Sequence, residues 1–140
     1  AMTVCVLPNT FMNKSGVAVA HYIQGLPAAE RLIVIYDELD LPLGTIKVSF
    51  DRGAGGHKGV DSIMKTIKTR RFTRIRIGIS PTDTEGVIHK PQGAKLVQDF
   101  VLGNFLHADL PALKNSLQRV SGAIESIITK GWVEAMNTYN

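Results

Sequence analysis

The run Arg31-Leu32-Ile33-Val34-Ile35-Tyr36, followed at once by Asp37-Glu38-Leu39-Asp40, decides the fold class of this 140-residue chain. Its β-branched and aromatic residues form a nearly continuous apolar block, which predicts a central strand covered on both faces. The acids that follow then fall at that strand's carboxyl end, where open α/β sheets bind ligands. Upstream, Val4 to Leu7 predicts a short buried strand ending at Pro8, with Cys5 filling the core. Asn13-Lys14-Ser15 leads into an apolar-rich helix through about Gln24, with Asn13 or Ser15 as its cap, and Gly25 to Glu30 forms a connection.

Downstream, Thr45 to Phe50 alternates, with Ile46, Val48 and Phe50 on one face and Thr45, Lys47 and Ser49 on the other. The glycine-rich stretch from Asp51 to Gly59 opens into a helix marked by Val60, Ile63, Met64 and Ile67. Ile75, Ile77 and Ile79 alternate with Arg74, Arg76 and Gly78, predicting a strand with a basic outward face. A loop from Ser80 to about Gln92 follows, then a short helix from Ala94 to Val101. Leu110, Leu113, Leu117, Val120, Ile124 and Ile127 mark a long amphipathic helix with Pro111 in its first turn. This order predicts an α/β fold, a single domain over residues 1–140 with a twisted mixed β-sheet flanked by helices. Ala1-Met2 is read as a cloning scar.

With 44% hydrophobic and 20% charged residues, the composition excludes disordered and fibrous classes. No apolar run reaches the roughly 18 residues of a membrane span, and the start lacks the basic and apolar regions of a signal peptide, so no membrane partner and a cytoplasmic location are expected. One cysteine allows neither an internal disulfide nor a cysteine metal cluster. The net charge of +4 is compatible with a polyanionic partner such as nucleic acid.

Several residues are equipped for chemistry. Gly55, Gly56 and Gly59 let backbone amides approach a ligand closely, ahead of a helix N-terminus suited to an anion or polar carbonyl. Lys58 is followed by Gly59 rather than Ser or Thr, so this is no Walker loop, and the dinucleotide fingerprint does not fit either. The alternative is a tight strand-to-helix turn. Within the loop His57 stands out over His21, His89 and His107, which suit surface or helix-end positions. Asp37 is placed to orient a histidine and stabilise its charged form, or else to cap the turn ending at Gly44. The Asn13 amide offers donors and an acceptor, enough to hold an ester carbonyl and a water together, or simply to cap a helix. No spacing of ligand-type residues suggests a metal, and no cofactor is expected.

Taken in order, Leu-Pro-Asn-Thr-Phe-Met-Asn-Lys-Ser-Gly (7–16), Tyr-Asp-Glu-Leu-Asp-Leu-Pro-Leu-Gly (36–44) and Gly-Gly-His-Lys-Gly (55–59) resemble the bacterial-type peptidyl-tRNA hydrolases. Phe-Thr-Arg-Ile-Arg-Ile-Gly-Ile (72–79), Phe-Val-Leu-Gly-Asn-Phe (100–105) and Glu-Ala-Met-Asn (134–137) extend the resemblance over nearly the whole chain. It implies an esterase that cuts a peptide from the 3′ end of tRNA, with peptidyl-tRNA as partner. A histidine would activate water, Asp37 orient that histidine and Asn13 position substrate or water. Met12 and the loop from Gly56 through His57 to Lys58 would line the substrate cleft, Arg76 match a basic position associated with tRNA, and Lys47 lie on a similar strand face.

The chain departs from the family pattern twice. The amino-terminal glycine-asparagine-proline-glycine loop and threonine-arginine-histidine-asparagine run have no match, and the general-base histidine belongs to them. An amino-terminally shortened chain of this kind is expected to bind substrate but turn it over poorly, because losing a general base costs roughly 10² to 10⁴ in rate. It would also expose strand edges, covered by dimerisation, strand exchange or a rearranged sheet. Secondly, Lys58 stands where the family usually has asparagine; a charged lysine donates to an oxyanion but accepts nothing from water. These departures leave a noncatalytic tRNA-binding relative as the alternative function, and His57 as a replacement base.

Overall fold

The computed structural model describes residues 2–140. In chain order its elements are a 3-10 turn at Met12–Lys14, α1 (Ser15–Ala20), α2 (Leu26–Glu30), β1 (Ile33–Pro42), β2 (Ile46–Phe50), α3 (Lys58–Ile67), β3 (Thr73–Ser80), α4 (Ala94–Val101), a 3-10 turn at His107–Asp109, α5 (Leu110–Lys130) and α6 (Trp132–Tyr139). The strands form one sheet in the order β1-β3-β2. Thr73 N donates to Leu32 O at one end of the β1–β3 pairing and Leu43 N to Ser80 O at the other, so these strands run parallel. Gly78 N donates to Thr45 O just ahead of β2, which therefore returns antiparallel along β3. The expected α/β fold with a mixed sheet is the one observed. No helix among the described residues is long and apolar enough to cross a membrane.

The chain groups into two compact units, one of residues up to Val34 with Ser49–Thr73, the other of Ile35–Val48 with Arg74–Asn140. In the first, α1 and the 3-10 turn before it pack against α3. Gly16 makes the approach feasible: its N–H donates to Ser62 Oγ at 3.0 Å, and a Cβ there would collide with the Thr66 side chain and the Ser62 carbonyl. Val19, Val60 and Ile63 are buried in this unit. In the second, β3 is the central strand, Ile46, Val48 and Ile75 are buried, and α5 packs along α6 over Val120, Ala123 and Ala135.

Six local expectations are corrected. The run from Arg31 to Tyr36, expected as a central strand covered on both faces, enters β1, which is terminal in the sheet among the described residues and mostly only half-buried, while β3 takes the central place. Val4 to Leu7 is irregular and exposed, and Cys5 is exposed rather than core, because an apolar run becomes a strand only where a sheet edge receives it. Gly25 to Glu30 is no plain connection: Pro27 opens the short helix α2. β1 continues through Pro42, so Asp37 lies mid-strand rather than at the carboxyl end. The cap preceding α1 is Lys14 without a side-chain bond; Ser15 Oγ instead donates back to Met12 O at 2.8 Å, and Asn13 sits inside the 3-10 turn. Finally, the basic face of β3 is not outward: Arg74 is 0% and Arg76 8% exposed, since the strand is internal to the sheet and its arginines are held by β1 side chains.

Candidate active site

The first cluster grows from the entry to α3. Gly55 and Gly56 take positive φ angles of 60° and 85°, a backbone path that side chains resist, and this turns the chain from β2 into the helix. His57 is the N-cap: its Nδ1 accepts from Val60 N at 3.3 Å, so the ring satisfies one of the helix's open amides. Lys58 begins the helix and Gly59 is buried beneath it. A Cβ on Gly59 would stand 2.5 Å from Met12 Sδ, so the glycine is what lets Met12 lie against the loop. Asn13 and Lys58, together with Asp61, Ser62, Lys65 and Thr66, line a cavity of about 380 Å³. Lys65 Nζ is committed to Asp61 Oδ2 at 2.6 Å. The cavity thus offers an asparagine amide and a lysine ammonium at a positive helix end, a combination suited to an anion or developing oxyanion.

The second cluster lies in the other unit. Asp37 lines a cavity of about 230 Å³ that is otherwise nearly all apolar, bounded by Ile35, Ile77, Ile79, Phe105 and Leu113. On the opposite face of β1, Tyr36 is hydrogen-bonded to Arg74, and Glu38 Oε2 lies 3.6 Å from Arg76 Nη1. Burial raises the Tyr36 phenol above its ordinary pKa of 10.0, against the lowering effect of Arg74. Further along this face, Asp40 pairs with Lys90 from the loop after β3, which raises the lysine's pKa.

Met12, Asn13, Gly56, His57 and Lys58 therefore belong to one unit, and Asp37, Lys47 and Arg76 to the other. Lys47 is exposed on β2. Asp61, Ser62, Tyr36 and Glu38 were not among the sequence candidates. Helical spacing from Lys58 was a usable signal for the first two; the last two needed the strand pairing. Among the described residues, no group of three or more histidines, cysteines, aspartates or glutamates is placed to hold a metal ion.

A family model described as peptidyl-tRNA hydrolase matches residues 1–140. The peptidyl-tRNA hydrolase of Syntrophotalea carbinolica is 39% identical over 140 residues, covering 99% of this chain and 68% of the relative. That of Listeria monocytogenes serotype 4b is 37% identical over 139 residues, covering 98% and 69%. The crystal structure of peptidyl-tRNA hydrolase from Acinetobacter baumannii superposes with a TM-score of 0.75 at 28% identity, covering 95% of this chain and 63% of that one. A complex of peptidyl-tRNA hydrolase with N-propanol gives 0.76 at 29% identity, with the same coverage. The chain thus spans a little under two thirds of the solved structures it matches. With the family model matched from end to end, and with relatives above one third identity over nearly all of its length, the chain belongs to the peptidyl-tRNA hydrolase family.

Proposed function

We propose that the protein hydrolyses the ester joining a peptide to the 3′ ribose of tRNA, recycling peptidyl-tRNA released from ribosomes in the cytoplasm. The observation that carries this is the meeting of Asn13 and Lys58 on one cavity, with Met12 against Gly59, because these residues come from two separate family motifs. Water adds to the ester carbonyl, the oxyanion collapses, and the ribose oxygen leaves with a proton. In this scheme the Asn13 amide holds the carbonyl or the attacking water. Lys58 and the amides at the start of α3 stabilise the oxyanion, and Asp37 orients the family's base histidine. His57 is not that base in our reading, since its Nδ1 is engaged as a helix cap. Arg76 and Lys47 serve the tRNA, Lys47 directly from its exposed position and Arg76 once its pairing with Glu38 is exchanged for phosphate.

The test is release of an N-blocked amino acid from tRNA by this chain and by a form carrying the family's histidine-bearing loop ahead of Thr3. Cleavage by the extended form, reduced roughly 10² or more by Asn13→Ala, is expected. Absence of cleavage by both forms would overturn the assignment and favour a tRNA-binding role alone.

A further inference from the structure

The positive charge of the chain is concentrated on one helix and the turn after it. Residues 58–71 hold Lys58, Lys65, Lys68, Arg70 and Arg71 against the single acid Asp61, a balance of +4 that equals the net charge of the whole chain. All five cations are exposed. On α3, Lys58, Asp61 and Lys65 recur three and four residues apart and line one side of the polar cavity, and Lys68 follows three residues later at the helix C-cap. At 1.5 Å per residue the row from Lys58 to Lys68 is about 15 Å long. It starts at the cavity that takes the ester in our reading and ends on the turn that carries Arg70 and Arg71.

Two details set this row apart from ordinary surface charge. Lys68 has a φ of 57°, a left-handed setting that favours glycine, and among the described residues only one other non-glycine residue does the same, Asp51 at 50°. Asp51 Oδ1 accepts from Arg70 Nε at 2.8 Å, so both strained residues belong to the same corner. Arg71 is held there too, with Nη2 2.9 Å from Glu30 Oε1 and its guanidinium 5.7 Å from the centre of the Phe50 ring. Secondly, Lys58 and Lys68 form no ion pair among the described residues, while the pairs made by Lys65, Arg70 and Arg71 are exposed and therefore weak. A phosphate can take the place of each carboxylate.

We propose that this row is the track for the single-stranded 3′ nucleotides of the tRNA, whose phosphates follow α3 from the corner at Lys68 and Arg70 to the cavity at Lys58. The proposal rests on the reading that the cavity takes the ester. That reading places the terminal ribose at Lys58, and the nucleotides just before it are the ones that lie along the helix. Exposed, flexible cations in a row suit such a strand, because they follow a sugar–phosphate backbone without reading its bases.

The test needs no turnover. Binding of deacylated tRNA is measured by fluorescence anisotropy over a series of salt concentrations for the parent, for Lys68→Gly/Arg70→Gln, and for Lys114→Gln/Lys130→Gln. The last variant loses the same charge from exposed positions on α5. Glycine suits the left-handed backbone at position 68, and glutamine keeps a donor for Asp51, so the corner variant retains its fold. Its plot of log affinity against log salt should be shallower by roughly 0.7 for each cation removed. The α5 variant should behave as the parent. Trimming the single-stranded 3′ nucleotides from the tRNA should erase the difference between the corner variant and the parent. A corner variant that binds with the parent's affinity and slope, an equal loss in the α5 variant, or a difference that persists on trimmed tRNA would each overturn the proposal. Absence of ester cleavage with the binding pattern intact would count against the hydrolytic reading alone, so the two failures are distinct.

Discussion

Glu38 and Arg76 face each other across the β1–β3 pairing with Oε2 and Nη1 3.6 Å apart, and their side chains keep only 16% and 10% of their exposure. An ion pair this far from water leaves a costly orphan when one member is removed. Glu38→Ala is expected to destabilise the protein by roughly 3 kcal/mol, and Arg76→Ala by a similar amount. Urea unfolding measures both. A tRNA-binding defect in Arg76→Ala would therefore have to be scored on material shown to be folded.

Gly78 sits where a Cβ would run into the backbone carbonyls of Leu41 and Pro42. A main chain cannot swing aside as a side-chain tip can, so Gly78→Ala should cost about 3 kcal/mol. The corresponding clash at Gly59 involves the flexible Met12 side chain, and Gly59→Ala should cost clearly less in stability while disturbing the position of Met12. Thermal unfolding of the two variants side by side checks the order.

Asn140 closes the β2 side of the sheet with its side chain: Oδ1 accepts from Val48 N at 2.6 Å and Nδ2 donates to Val48 O at 2.9 Å. Asn140→Ala should cost about 1–3 kcal/mol and speed amide exchange at Val48. Asn140→Asp keeps the acceptor but presents a carboxylate to the Val48 carbonyl, so its loss should be comparable.

His57 acts on α3 through its ring nitrogen. His57→Ala should cost about 1 kcal/mol, and His57→Asn, which restores an acceptor at the cap, should recover most of it. Hydrolysis by folded His57→Ala should fall far less than in Asn13→Ala, because the cap supports the start of α3 without taking the proton. A selective loss of rate at unchanged stability would instead make His57 a base.

Tyr36 gives a pH dependence of definite sign. Its phenol is raised above 10.0 by burial, so the folded state holds the proton after the unfolded state has begun to release it. Stability should therefore fall as pH rises through 10.0, until the folded-state value is passed. Absorbance titration of the three tyrosines should show a component above pH 10.0 that Tyr36→Phe removes.

Much of the architecture was legible in the chain. The α4 boundaries at Ala94 and Val101, Pro111 in the first turn of α5, the existence of strand β2 and the glycine loop entering α3 all follow from local rules of spacing, caps and backbone freedom, whereas the burial of Ser49 breaks the alternation expected along β2. The motif residues Met12, Asn13, His57 and Lys58 were also legible, as was the family they imply. His57's role as a cap was not, because the choice between a catalytic ring and a capping ring depends on which amide lies beside it.

Partners in space decided the remainder. The same alternation that names Arg74 and Arg76 as one face of a strand is satisfied equally by an exposed basic face and by a buried ladder. Only the central position of β3, with Tyr36 and Glu38 beside it, selects the ladder. Val4 to Leu7 has strand composition and no strand structure, because hydrogen bonds between strands require a second edge that local sequence cannot supply. Periodicity fixes which side chains share a face; tertiary structure fixes what that face meets, and with it whether a charge is solvated, paired or available to a substrate.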